Sequence, residues 1–222
     1  MQVLIINGSP RINGSTSKLL HLIEDDLKDS GIDVEFFDLS KINMSHCIGC
    51  CSCYKTGHCC IDDDAEKLSN IISEADGIVL GSPTYASNVS GLMKNFIDRG
   101  HFVIEQLLHN KYCITVVTGE NYGNNKALKV LSDLVLFSGG RLSGKICATL
   151  PFNDLQSVDG RLNKKIHNAS RSLIKGLKRR SIYPLQRFFH SVVFYAGIKP
   201  FVSKKGVQYQ GVTRKWKEYG IE

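Results

Sequence analysis

Apolar and polar positions switch between two periods along the first two thirds of the chain. Val3-Leu-Ile-Ile6 is a short continuous apolar run, as in a strand buried on both faces, and it stops at Asn7-Gly8-Ser9-Pro10. Leu19, Leu20, Leu22, Ile23 and Leu27 follow at helical spacing. Val34-Glu-Phe-Phe-Asp-Leu39 reads as a second strand. Asp64 to Glu74 reads as a helix, with an acidic first turn and apolar Ala65, Leu68, Ile71 and Ile72. Gly77 to Gly81 is a third strand, ended by Ser82-Pro-Thr-Tyr85, and a helix is expected through Leu92, Phe96, Ile97, Phe102, Val103 and Leu107. The fourth strand, Tyr112 to Val117, stops at Thr118-Gly119. A helix from about Lys126 to Phe137, closed by Gly139-Gly140, leads to a fifth strand over Lys145 to Leu150. Five strands with intervening helices predict an α/β fold with a parallel sheet covered on both faces. Ligands of such sheets sit beyond the carboxyl ends of the strands.

Beyond Pro151 the pattern changes. A basic helix is expected over Leu162 to Lys178. An aromatic stretch follows Pro184 (Phe188, Phe189, Val192, Val193, Phe194, Tyr195), and Val212 to Tyr219 contains the only tryptophan, Trp216. We divide the chain into 1–150 and a helical C-terminal extension, 151–222. The aromatic stripe reads as a core or subunit contact in preference to a membrane-surface helix.

Charge sharpens this division. Residues 1–160 carry a balance of −6 and residues 161–222 a balance of +13. Such a basic tail suits packing against an acidic domain or a polyanionic cofactor. No recognition helix, RNA-binding aromatic signature or zinc-finger spacing accompanies it, so nucleic acid is not the expected partner. No apolar run reaches transmembrane length and no signal peptide opens the chain, so no membrane is expected and the expected location is cytoplasmic. Eight cysteines then stay reduced unless they bind metal or do redox chemistry.

The opening turn carries the first candidate chemistry. A strand entering a helix through a Gly/Ser/Thr-rich turn aims unpaired N–H groups and the helix dipole at one spot. Ser9, Ser15, Thr16 and Ser17 add hydroxyls and Arg11 a charged fork of donors. Five residues separate Gly8 from Gly14 and Ser15 follows, which does not match a nucleoside-triphosphate loop, and Gly-x-Gly-x-x-Gly is absent. A hydroxyl-rich loop without the P-loop lysine suits a monoester phosphate such as that of FMN. Ser82-Pro83-Thr84-Tyr85 and Thr118-Gly119-Glu120-Asn121-Tyr122-Gly123 lie at the same predicted sheet edge. Together the three loops describe a pocket for a planar ring with a phosphate tail. No acid/base pair or Ser/His/Asp arrangement can be assembled, so no catalytic residue is assigned.

Gly8-Ser-Pro-Arg, Asn13-Gly-Ser-Thr, Gly81-Ser-Pro-Thr-Tyr and Gly91-Leu-Met-Lys-Asn-Phe-Ile-Asp-Arg resemble the NAD(P)H-dependent FMN reductase group of the flavodoxin-like superfamily. The resemblance covers about residues 1–150. It implies a flavodoxin-like five-stranded parallel sheet and FMN, with the phosphate at Ser9, Arg11, Ser15, Thr16 and Ser17. The ring is then expected against Pro83, Thr84, Tyr85, Thr118 and Gly119, with NAD(P)H as co-substrate. A homo-oligomer, dimer or tetramer, is also expected, together with a small-molecule or protein electron acceptor.

Six of the eight cysteines fall within fourteen residues, from Cys47 to Cys60. Cys47, Cys50 and Cys53 are three apart, which lets a short loop wrap three thiolates round one centre, and Cys59 can return as a fourth. This spacing resembles the iron-sulfur flavoprotein branch of the same group, and implies a [4Fe–4S] cluster near the flavin. Cys51 and Cys60 are not needed by that pattern, and similar loops occur in reductases without a cluster. Cys113 and Cys147 are expected as inert core residues. Three functions stay open: an FMN-dependent oxidoreductase fed by NAD(P)H or a ferredoxin-like donor, an electron-transferring iron-sulfur flavoprotein, and a flavin-bound redox sensor or partner-binding protein.

Overall fold

The computed structural model describes residues 1–151 and 158–221. The first stretch of the expected extension, 152–157, and its last residue, 222, lie outside the described residues. The strands are β1 (Gln2–Asn7), β2 (Asp33–Asp38), β3 (Gly77–Tyr85), β4 (Asn88–Val89), β5 (Tyr112–Gly119) and β6 (Arg141–Thr149). The α-helices are α1 (Ser15–Asp29), α2 (Ser52–Thr56), α3 (Asp64–Glu74), α4 (Gly91–Arg99), α5 (Phe102–Glu105), α6 (Asn124–Phe137), α7 (Gly160–Arg179), α8 (Pro184–Val193), α9 (Lys199–Lys205) and α10 (Gln210–Glu218). Five strands run parallel in the order β2-β1-β3-β5-β6, and β4 pairs antiparallel with the end of β3. The sixth strand is therefore a two-residue hairpin return, too short to register as a hydrophobic pattern.

Both faces of the sheet are buried, which is why β1 reads as one apolar run. Val3 and Ile5 join Val79, Ile114, Val116 and Ile146 beneath α1 and α7. Leu4 and Ile6 join Ile78, Leu80, Cys113 and Val117 beneath α3, α4 and α6. The basic helix of the tail, α7, thus completes the core of the first face, with Ile166 and Leu173 fully buried. A third cluster gathers Phe194, Ile198, Val202, Val212 and Trp216 around the end of the chain.

Three expectations need correction. The single helix through Leu107 is two, because Gly100 closes α4 and His101 turns left-handed at φ 50°. The third strand does not stop at Gly81 but pairs with β5 as far as Pro83. Cys147 is only half-buried, whereas Cys113 is fully buried and its thiol is pushed up to about 12 by burial.

Candidate functional site

The order of the parallel strands reverses direction at β1 and β3, which opens a crevice beyond their carboxyl ends. A cleft of about 290 Å³ lies there, lined by Ser9, Arg11, Gly14, Ser15 and Thr16, by Pro83 to Tyr85, by Thr118 to Tyr122, and by Asn124, Leu150 and Pro151. Nine of the ten expected flavin-site residues line it. The tenth, Ser17, lies one position deeper on α1, buried, its hydroxyl without a hydrogen-bond partner.

Local sequence sets the first wall. Gly14 caps α1 with no side chain, and no acidic residue occupies the first turn. The N–H groups that a serine or aspartate would satisfy are left for another acceptor. Asn7 shapes the approach: its Oδ1 accepts from Ser9 N at 3.1 Å and its Nδ2 donates to Asp38 at 2.8 Å. Ser9 Oγ accepts from Arg11 N at 3.1 Å, which closes the turn tightly.

The other walls are bolted to it. Ser90 caps α4, and its hydroxyl also donates to Gly8 O at 2.5 Å. Ser90 N donates to Ser82 Oγ at 2.9 Å, which ties the Ser82-Pro83-Thr84-Tyr85 turn to the opening loop. Thr16 Oγ1 and Thr118 Oγ1 lie 2.7 Å apart and join α1 to the end of β5. A Cβ on Gly119 would lie 2.1 Å from Asn124 Oδ1 and 3.1 Å from Thr84 Cβ, so only glycine lets this wall close so near the cleft. Thr84 Oγ1 and Asn124 Oδ1 are buried there without partners. Unpaired buried oxygens beside an uncapped helix start fit a ligand with both an anionic tail and polar ring edges. Asn7, Ser90 and Asn124 went unrecognised in the sequence as groups that shape the cleft.

The cysteines form a second centre. Gly49 (φ 68°) and Cys51 (φ 57°) turn the chain into α2, and Gly57 (φ 85°) ends it. Cys50 Sγ lies 3.3 Å from Cys60 Sγ. The Ser52 N–H and that contact pull the Cys50 thiol down, and the same contact pushes Cys60 up. Burial, with Glu105 and the charges of Cys59 and Cys50, pushes Cys53 up to about 12. Arg99 Nη2 donates to Cys59 Sγ at 3.4 Å, while its guanidinium grips both oxygens of Asp63 at 2.8 Å and donates to Ser45 O at 2.6 Å. Burial raises Asp63, but the Arg99 bonds and the N–H groups of Ser45 and Ala65 outweigh it and hold the carboxyl at about 2.

The thiol donor set matches thiolate-cluster chemistry, and Cys50 and Cys59 both lie within electrostatic range of Cys53. They do not close on one point. Among the described residues no group of three or more His, Cys, Asp or Glu side chains is placed to hold a metal ion. Cys47 is exposed in the irregular segment before them, and Cys50 neighbours Cys60, the cysteine the spacing does not require. Ser90 stands at the cleft end of α4 and Arg99, with Cys59, at its far end, about 13 Å along the axis at helical rise.

The sheet order and the cleft define a flavodoxin-like FMN-binding oxidoreductase. The chain belongs to the NADPH-dependent FMN reductase family, whose model matches residues 1–148. An iron-sulfur flavoprotein of Clostridioides difficile is 38% identical over 225 residues, covering 100% of both chains. Another, from Archaeoglobus fulgidus, is 34% identical over 144 residues, covering 63% of this chain and 64% of that relative. Among solved structures, an NADH:FMN oxidoreductase in its apo form superposes with a TM-score of 0.59 at 19% identity, covering 84% of this chain and 93% of that one. A Streptococcus pneumonia flavodoxin gives 0.56 at 16% identity, covering 78% and 97%. At these identities the structures speak for the fold. No helix among the described residues is long and apolar enough to cross a membrane.

Proposed function

We propose that FMN lies in this cleft with its phosphate at the start of α1 and its ring between the Ser82–Tyr85 turn and the Thr118-Gly119 turn. NAD(P)H, or a ferredoxin-like donor, supplies the electrons and a small molecule or partner protein takes them. The observation that carries this reading is the uncapped, acid-free start of α1, facing a glycine-lined wall with unpaired oxygens. Ser9, Ser15, Thr16 and Ser17 are the neutral phosphate donors and Arg11 the charged one. Tyr85 and Tyr122, 43% and 77% exposed, stand at the mouth where they can cover a ring and exclude water. The flavin supplies the hydride-accepting centre, so the protein needs no acid/base pair and contributes position and electrostatics. Anaerobic stopped-flow mixing of the FMN-loaded protein with NADPH and with NADH tests the donor. Rapid flavin bleaching by either supports a reductase. Reduction by dithionite alone, with neither nicotinamide active, would leave the electron-carrier reading.

The gathered thiols favour a second reading, in which Cys47, Cys50, Cys53 and Cys59 hold a [4Fe–4S] cluster once the loop closes round it. The similarity to iron-sulfur flavoproteins, one of them along the whole chain, supports it. Anaerobically reconstituted protein should then carry about four irons per chain. Cys53→Ala should remove them and leave FMN bound, whereas Cys51→Ser and Cys60→Ser should not. Negligible iron and sulfide after reconstitution would leave a plain FMN reductase. Eight unpaired thiols suit a reducing compartment such as the cytoplasm.

A further inference from the structure

A second cavity, of about 400 Å³, lies at the amino ends of β5 and β6, where α8 and the last described residues fold over the sheet. Cations converge on it. Arg141 opens β6, His109 stands in the turn before β5, and Arg187 and His190 come from α8. Neutral groups hold Arg141: its Nη1 donates to Tyr112 Oη at 2.8 Å and its Nη2 to Asn110 Oδ1 at 2.6 Å. Gln106 donates to Val103 O and Phe137 O, so its Oε1 accepts from His190 Nε2 at 2.6 Å. A second proton on His190 would therefore sit on Nδ1. His109 Nδ1 is buried without a hydrogen-bond partner, 3.0 Å from where a Cβ on Gly139 would stand. Among the described residues no aspartate or glutamate lines the cavity. The rest of the wall includes Tyr183, Phe194, Ile182 and Ile221.

We propose that this cavity binds a small aromatic carboxylate, its anionic end among Arg141, Arg187 and His109 and its ring against Tyr183 and Phe194. The volume fits, since pockets for small ligands begin at about 300 Å³. The charge fits as well. A concave wall of one sign focuses potential, and a bound anion brings the counter-charge that the lining side chains lack. Arg141 presents the planar fork that pairs with a carboxylate. Its bonds to Tyr112 and Asn110 fix its plane, leave its charge unneutralised and leave further N–H donors for the anion. The aromatic and aliphatic part of the wall selects an organic body over a bare inorganic anion. Burial, with the charges of His190, Arg141, Lys111 and Arg187, keeps His109 down at about 4, and an anion among them raises it. Binding therefore takes up protons and tightens as pH falls from 7 toward 5.

This site is separate from the flavin reading. Arg141 stands at the start of β6 and the cleft at its far end, near Leu150, about 30 Å away at strand rise. FMN-loaded protein, with the cleft filled, tests the proposal through the imidazole NMR signals of His109 and His190. The probes are benzoate, its neutral counterpart benzamide, and inorganic phosphate. Benzoate should shift both signals saturably and raise the titration midpoint of His109, and benzamide should do neither. Arg187 is exposed, so Arg187→Gln should keep the wild-type far-UV circular dichroism and FMN affinity. It should weaken benzoate about tenfold, the loss of one charge-assisted hydrogen bond. No saturable shift with benzoate, equal shifts with benzamide, or an unchanged benzoate affinity in the variant overturns the proposal. So does saturation by phosphate in place of benzoate, which would make a phosphate group the occupant.

Discussion

Among the described residues Asp63 and Arg99 form the most deeply buried ion pair, with side chains only 2% and 1% exposed. Asp63 caps α3 through Ala65 N and anchors Ser45 N, while Arg99 reaches Cys59, so one ion pair fixes both flanks of the cysteine loop. Asp63→Asn leaves a buried guanidinium without its counter-charge and should cost about 3 kcal/mol in urea unfolding at neutral pH. The pH dependence has a definite sign. The folded carboxyl sits at about 2, below its ordinary 3.8, so its contribution is complete above pH 4 and is lost as pH falls toward 2. In the sequence Asp63 showed only as part of an acidic helix start. Its partner lies thirty-six residues away, and no local pattern announces it. Arg11, Ser9 and Ser15 of the opening turn were legible as cleft residues because they lie close together in the chain. Asn124 was not, because its role comes from lying beside Gly119 in the folded chain.

The helices and the parallel strands were legible for a different reason. Burial on one stripe or on both faces leaves a period in the sequence, and Asp64 to Glu74 was bounded to the residue. What left no period was a break made by backbone geometry, as at His101; in α8 the apolar stripe was legible, but not that it points outward. The seat of α10 was equally hidden. Trp216 is fully buried and donates to Ile104 O at 2.9 Å, and Gly211 rests on Gly57, where a Cβ would lie 2.3 Å from Gly57 N. The obstructing atoms are backbone, so Gly211→Ala must push α10 off α2, at a cost of about 1–3 kcal/mol. Cys53, half-buried on α2, should then alkylate several-fold faster in native-state labelling read by mass spectrometry. An unchanged labelling rate would mean that α10 does not clasp the cysteine loop.

The chain folds round one sheet, and the tail that looks separate in charge is joined to it through α7. The acid response of the protein should follow from groups buried between these parts. Burial, then the charges of His190, Arg141, Lys111 and Arg187, lowers His109 to about 4 from an ordinary 6.5. Unfolded chains take up that proton below pH 6.5 and the folded protein does not until about pH 4. Stability should therefore fall by about 2 kcal/mol across that window, and His109→Gln should flatten the fall in urea titrations at pH 7 and pH 4.5. Equal slopes for the two proteins would place the acid sensitivity elsewhere.

The cleft at the other end of the strands is read as a phosphate site first and a ring site second, and comparing FMN with riboflavin separates the two. Fluorescence titration of the apoprotein should show FMN binding about a hundredfold or more tighter than riboflavin, because only FMN uses the start of α1 and the guanidinium of Arg11. Arg11→Ala should narrow that gap by weakening FMN alone. Equal affinity for the two flavins would contradict the account.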